Sequence, residues 1–284
     1  MRLFLIPIST RRALIYSRPL IKDIPKELSY FDRATTKVAA QWAKWEEAEK
    51  GWQKHLVTWG NRVQQRIPFE EWGLRSIPPL KNQQRIDEAH GTKKIDVLYP
   101  GNAVHLDKLP SVLRTIATER QQFHQKMARR CVIIAPFLAP FGLIPVIPNI
   151  PFFYAMYRLF CHYRALKGSQ HLEFLVGKNL INPISLPELE QLYAKRVSYV
   201  IDDTPIDTPH AQMVDNMEQS DERVLLKFSD AKKLATIFEA PELALEAERA
   251  IVQVSEQLKA RKEEAKAKEE AKEKEKESNE KQNQ

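Results

Sequence analysis

From Cys131 to Tyr157 the chain runs for 27 residues without a charged side chain, yet it carries prolines at 136, 140, 145, 148 and 151. An uncharged stretch of that length is what a membrane-spanning helix requires. Each proline, however, removes a backbone donor and clashes with the preceding helical turn. Pro145, Pro148 and Pro151 fall within seven residues, so no continuous helix is expected across Leu143–Pro151. Two helical arms around a break are expected instead, the first ending near Gly142 and the second running from Phe152 to about Leu166. An arm of roughly 15 residues is about 22 Å long, short of the roughly 30 Å hydrocarbon core. The segment 128–167 therefore reads as a proline-broken hairpin that associates with a membrane without crossing it, its irregular tip shielded by protein or close to water. A hairpin buried inside a soluble domain is the alternative.

Charge and aromatic placement support the membrane reading. Arg129 and Arg130 precede the segment, and Arg158, Arg164 and Lys167 lie within or after the second arm, which puts both ends on one side. Phe152, Phe153, Tyr154, Tyr157, Phe160 and Tyr163 give the second arm the aromatic density of a bilayer interface. Arg158 and His162 stand four residues apart and share a helix face. They are candidates for a polar site that titrates near neutral pH, or for snorkelling side chains that anchor the arm. The candidate membrane motif is thus Pro145, Pro148, Asn149, Pro151, Phe152, Phe153, Tyr154, Tyr157, Arg158, His162 and Arg164.

Around this segment the chain reads as mainly α with a small β element, an α+β class. Residues 1–30 open with five basic residues before the first acid, Asp23. They fit a targeting segment or a β-hairpin with strands Leu3–Ile8 and Ala13–Tyr16 around the turn Ser9–Arg12; Pro7 interrupts the amphipathic helix that targeting prefers. Residues 31–67 read as a Trp-rich amphipathic helix, with Val38, Trp45, Trp52 and Trp59 recurring every seven residues along one side. That side suits a helix–helix seam or a membrane interface. The region 68–127 is mixed: 68–92 looks irregular, Ile95–Tyr99 is a short strand closed by Pro100–Gly101–Asn102, and one helix runs from Pro110 through Arg120 toward Arg130. In 168–254, Ser185 and Glu188 form a capping box, Ser229 caps a helix over Asp230–Phe238, and Pro241 opens a last helix. That helix enters a tail, 255–284, with nine basic residues and nine glutamates. Its charges alternate without an apolar stripe, as in a solvated single helix or a disordered segment.

Composition narrows the chemistry. Eight glycines against 18 prolines, with no GxxxxGK[ST], GxGxxG, HExxH or GxSxG motif, leave no phosphate cradle or nucleophile elbow. Cys131 and Cys161 are 30 residues apart and form no CxxC pair. His105 and Asp107 are a weak isolated pair. No catalytic centre, cofactor site or metal site is expected. The net charge of +7 is split between the N-terminus and the hairpin flanks, which is not a nucleic-acid footprint.

The opening Met1-Arg-Leu-Phe-Leu-Ile-Pro-Ile-Ser-Thr-Arg-Arg12 and the stretch Pro145-Val-Ile-Pro-Asn-Ile-Pro-Phe-Phe-Tyr-Ala-Met-Tyr-Arg158, with His162 and Arg164-Ala165 after it, resemble the fungal mitochondrial potassium–proton exchange-related family. The resemblance extends to about residue 255. It implies a place in the mitochondrial inner membrane and a part in potassium–proton antiport, ion homeostasis and matrix volume control. It supplies no catalytic residues. One short hairpin cannot line an ion path alone, so the expectation is a component or regulator that works with the membrane and with other inner-membrane proteins or further copies of itself. The alternative is a membrane-tethered scaffold or assembly factor without transport activity.

Overall fold

A computed structural model describes residues 1–18, 65–80, 94–140, 150–201 and 222–282, with single positions between 51 and 62. The chain is mainly helical with a small four-stranded sheet. Strand β1 covers Arg2–Pro7 and β2 covers Ala13–Arg18, so the opening is the β-hairpin. Its apolar runs Leu3–Ile6 and Leu14–Tyr16 are buried residue after residue rather than alternately. That is the pattern of strands covered on both faces. Strands β3 (Ile95–Tyr99) and β4 (Ile181–Ser185) complete the sheet in the order β2-β1-β3-β4, with β1 and β3 parallel and Arg2, Leu3 and Phe4 opposite Asp96, Val97 and Leu98.

The chain divides into two compact units. The first comprises Met1–Leu5, Ile15–Tyr99 and Leu106–Ile184. Its helices are α1 (Phe69–Ser76), α2 (Leu109–Thr118), α3 (Gln121–Leu138) and α4 (Ile150–Gly177). Helix α1 lies in the stretch expected to be irregular. Pro68 at its N-cap costs no hydrogen bond there, and Glu70 and Glu71 in its first turn complement the helix dipole. Tyr16 stacks on Trp72 at 5.5 Å, and the Ser17 amide donates to Ser76 Oγ at 2.8 Å, which ties α1 to β2. The helix expected to run unbroken through Arg120 is instead two, α2 and α3. Arg120 leaves helical geometry with φ −109° and ψ 4°, and its guanidinium pairs with Glu70 at 3.2 Å.

The expected break over Leu143–Pro151 falls mostly outside the described residues, and its last residue, Pro151, is helical. Helix α3 stops at Leu138, and Ile150 starts α4 with Pro151 in the first turn. Residues 141–149, with Pro145, Pro148 and Asn149, lie outside the described residues, as do Trp42, Trp45, Trp52 and Trp59; Lys54, Val57, Thr58, Gly60, Arg62 and Gln65 are helical. The second arm is longer than expected, reaching Gly177 instead of about Leu166. The pairs Gln121–Glu173 and His124–His162 show α3 and α4 packing antiparallel.

The second unit comprises Ile6–Leu14, Pro100–His105 and Ser185–Gln284. It holds α5 (Pro187–Ile201), α6 (Phe228–Ile237) and α7 (Pro241–Gln282). Asp230, not Ser229, accepts the Lys227 N–H at the start of α6, and Ser185 bonds Glu190 rather than Glu188. Glu222 gathers Ser9 at 2.7 Å, Arg12 at 3.2 Å and Arg261 at 3.4 Å. Leu243, Ala247, Ala250 and Val254 form the buried stripe of α7, which ends where the charged tail begins.

Helix α1 approaches α4 at Gly168 so closely that a Cβ there would stand 2.0 Å from the Leu74 carbonyl oxygen. Backbone cannot yield as a flexible side chain can. Gly168→Ala is expected to destabilise the first unit by about 1–3 kcal/mol or more, seen as a lower thermal midpoint, whereas Gly177→Ala, which meets nothing within 4 Å, should raise or barely change it.

Candidate functional site

Three helices of the first unit bring one carboxylate, one guanidinium and two imidazoles together. Glu71 comes from the first turns of α1, His124 from the start of α3, and Arg158 and His162 from successive turns of α4. Glu71 and His124 are 0% exposed and His162 is 3% exposed. Arg158 clasps Glu71 with both outer nitrogens, Nη1 to Oε1 at 2.8 Å and Nη2 to Oε2 at 3.1 Å. Such a fork is the strong form of an ion pair, and it is what permits the carboxylate to stay charged away from water.

From this pair the hydrogen-bond sense propagates. Arg158 Nη2 also lies 2.9 Å from His162 Nε2. A guanidinium only donates, so His162 Nε2 offers its lone pair and the ring proton sits on Nδ1. His162 Nδ1 stands 3.1 Å from His124 Nδ1, which must then accept, leaving the His124 proton on Nε2. That Nε2–H is buried and has no hydrogen-bond partner among the described residues. Burial lowers the pKa of both imidazoles to about 4; Arg158 adds to the effect at His162, while at His124 the attraction of Glu71 opposes burial and the repulsion from His162, Arg120 and Arg158 reinforces it. Both rings are therefore neutral near pH 7. Phe123 closes the His162 side edge-on at 5.9 Å, and Arg75 lies over the Tyr157 ring at 6.0 Å.

The residues singled out in the sequence separate into two groups. Arg158 and His162 do share a helix face, but it turns inward to Glu71, so they neither snorkel nor meet solvent as a surface titrating site. Pro151, Phe153 and Tyr154 are exposed, Phe152 and Tyr157 are half-buried, and the half-buried Arg164 covers the Phe160 ring at 5.9 Å. Sequence reasoning missed Glu71 because its helix was hidden between prolines. It missed His124 too, although that residue follows the buried Leu113 and Ala117 at helical spacing.

A helical hairpin packed on α1 and α2 and locked by a buried ion pair, with a small sheet in the same unit, is the class this first unit defines. A family model described as mitochondrial K+-H+ exchange-related matches residues 2–176, ending with α4, and the chain belongs to that family. Two curated fungal proteins match as well. An uncharacterized protein of Schizosaccharomyces pombe is 30% identical over 68% of this chain and 81% of its own. An uncharacterized protein of Saccharomyces cerevisiae is 25% identical over 62% of this chain and 63% of its own. No solved structure matches.

Truncating Glu71 leaves the half-buried Arg158 without its counter-ion, so Glu71→Ala is expected to cost up to about 3 kcal/mol in urea unfolding, less than for a fully trapped charge because Arg158 can turn toward water. The imidazoles set a pH dependence. In the unfolded chain they titrate near 6.5, while in the folded chain they stay unprotonated down to about 4. The unfolded state thus binds more protons between these values. Stability should be full above pH 6.5 and fall as pH drops from 6.5 toward 4. His124→Gln should flatten that part of the profile.

Proposed function

We propose that this protein is a component or regulator of potassium–proton exchange at the mitochondrial inner membrane, held to one leaflet by the far end of the α3–α4 hairpin. The family membership supports the exchange role. The observation that carries the attachment is the exposed apolar surface at that end: Phe137 is 73% exposed, Phe153 65%, Ile133 64% and Val132 55%, with Ile134 beside them. Side chains of this kind clustered at one end of two packed helices make a surface suited to lipid. Arg129, Arg130 and Lys126 are exposed on α3 just behind it, where they would meet anionic headgroups.

No described helix is long and apolar enough to cross a membrane. Helix α4 has the length, about 42 Å at 1.5 Å per residue, but Arg158, His162, Arg164 and Lys167 interrupt its apolar character. In the proposed arrangement the chain attaches from one side, and ion flux requires further copies or a separate carrier. The reading assigns no catalytic step to the chain. The scaffold alternative draws on α7, whose charged residues from Lys259 to Lys268 are exposed and offer a docking surface for other inner-membrane proteins.

Each aromatic withdrawn from water at the bilayer contributes about 1.5–3 kcal/mol. Phe137→Asp combined with Phe153→Asp should therefore weaken flotation with anionic vesicles at least tenfold. In mitochondria depleted of the native protein, it should also fail to restore swelling and contraction in potassium acetate. Undiminished flotation would remove the attachment reading. Lost flotation with normal potassium–proton exchange would favour the scaffold.

A further inference from the structure

We infer that Glu71, His124 and His162 form a binding site for one divalent transition-metal ion of the zinc class, entered in competition with Arg158. A carboxylate oxygen of Glu71 and one nitrogen of each ring all lie within 4.8 Å of one another, on three buried residues. The two Nδ1 atoms are 3.1 Å apart, and His162 Nδ1 is 3.8 Å from Glu71 Oε2. Ligands about 2.0–2.1 Å from a shared zinc ion stand at such separations. Three protein ligands leave a fourth position for water. The three come from different helices, so the ion would bridge α1, α3 and α4.

Donor chemistry sets the class of ion. Two imidazoles with one carboxylate suit zinc, cobalt, nickel or copper, while magnesium and calcium prefer all-oxygen shells. Potassium, the ion of the family's name, is a large monovalent cation that needs several oxygen ligands and finds a single carboxylate here. The site would bind a regulator of the chain, not the transported ion.

Protonation and charge explain why Arg158 must yield. His124 already carries its proton on Nε2 and presents the Nδ1 lone pair inward, as a metal ligand does. His162 carries its proton on Nδ1 and must move it to Nε2, by exchange with water and with no net proton released. A protonated Nε2 cannot face Arg158 Nη2 at 2.9 Å, since both would donate. Nor can a dication and a guanidinium share one buried carboxylate without strong repulsion. The ion therefore takes the place of Arg158 at Oε2. The Arg158 side chain, 15% exposed, turns toward water. Neutral imidazoles at pH 7 make both ligands available without displacing a proton to solvent.

The test uses the untagged full chain titrated with Co²⁺ and followed by absorption, then by X-ray absorption of the loaded wild type. The expected result is one ion per chain with the intense bands of a four-coordinate site and a first shell containing two imidazoles. Potassium in large excess should not compete. His124→Gln and His162→Gln should each weaken binding at least tenfold, His105→Gln should not, and Arg158→Gln should tighten it about tenfold or more. Because the histidine and Arg158 variants could all misfold, the X-ray absorption shell of the wild type tests the site without any substitution. Absence of stoichiometric binding by both the wild type and Arg158→Gln would overturn the assignment. So would a first shell lacking imidazole, or binding unchanged by both histidine substitutions.

Discussion

The Glu71–Arg158 ion pair is the contact on which the hairpin unit turns. A carboxylate with a side chain 1% exposed stays ionised only if something repays the loss of hydration, and a planar two-point clasp does so in one orientation. Helix α4 is therefore fixed in rotation as well as position against α1. Arg158 then dictates the tautomer of His162, and His162 dictates that of His124, which brings α3 into register. Gly168 permits the same approach from the packing side, where the Leu74 carbonyl leaves no room for a methyl group. A polar network and a steric constraint thus specify the same three-helix arrangement.

The α3–α4 pair is consequently a device with two unlike ends. At the base its polar groups are withdrawn from solvent and almost completely paired. At the other end Val132, Ile133, Phe137 and Phe153 are uncovered. Pro136 adds to the contrast, since within α3 it leaves the Val132 carbonyl without its helical donor. The rigid base would carry any force from the apolar end directly into α1 and the sheet.

Much of this was legible in the residues. The N-terminal hairpin, strand Ile95–Tyr99 and the opening of the last helix at Pro241 rest on local signals, and local signals survive folding. The helix Phe69–Ser76 escaped because prolines on both sides resemble loop punctuation, although its two glutamates suit a first turn. The division at Arg120 was invisible because no glycine or proline marks it; its partner Glu70 lies in another helix. Arg158 and His162 were found as a pair, but their direction was not, because periodicity assigns a shared face without telling whether that face meets lipid, water or a buried acid. The cluster depends on contacts between distant parts of the chain, which single-sequence spacing does not encode.

The parallel pairing of β1 with β3 bears on how such a chain can be assembled. Strand β1 sits inside the sheet, flanked by β2 and β3, yet its partner Asp96 lies far along the chain from Arg2. The hairpin made first can hold one edge of β1, while the other edge has no neighbour until the segments between have been delivered and brought back. Pairings this distant close slowly, and an apolar strand with an open edge invites the wrong neighbour while it waits. A chain built this way gains from leaving that edge unpaired until β3 has been made, a demand set by its topology rather than its composition.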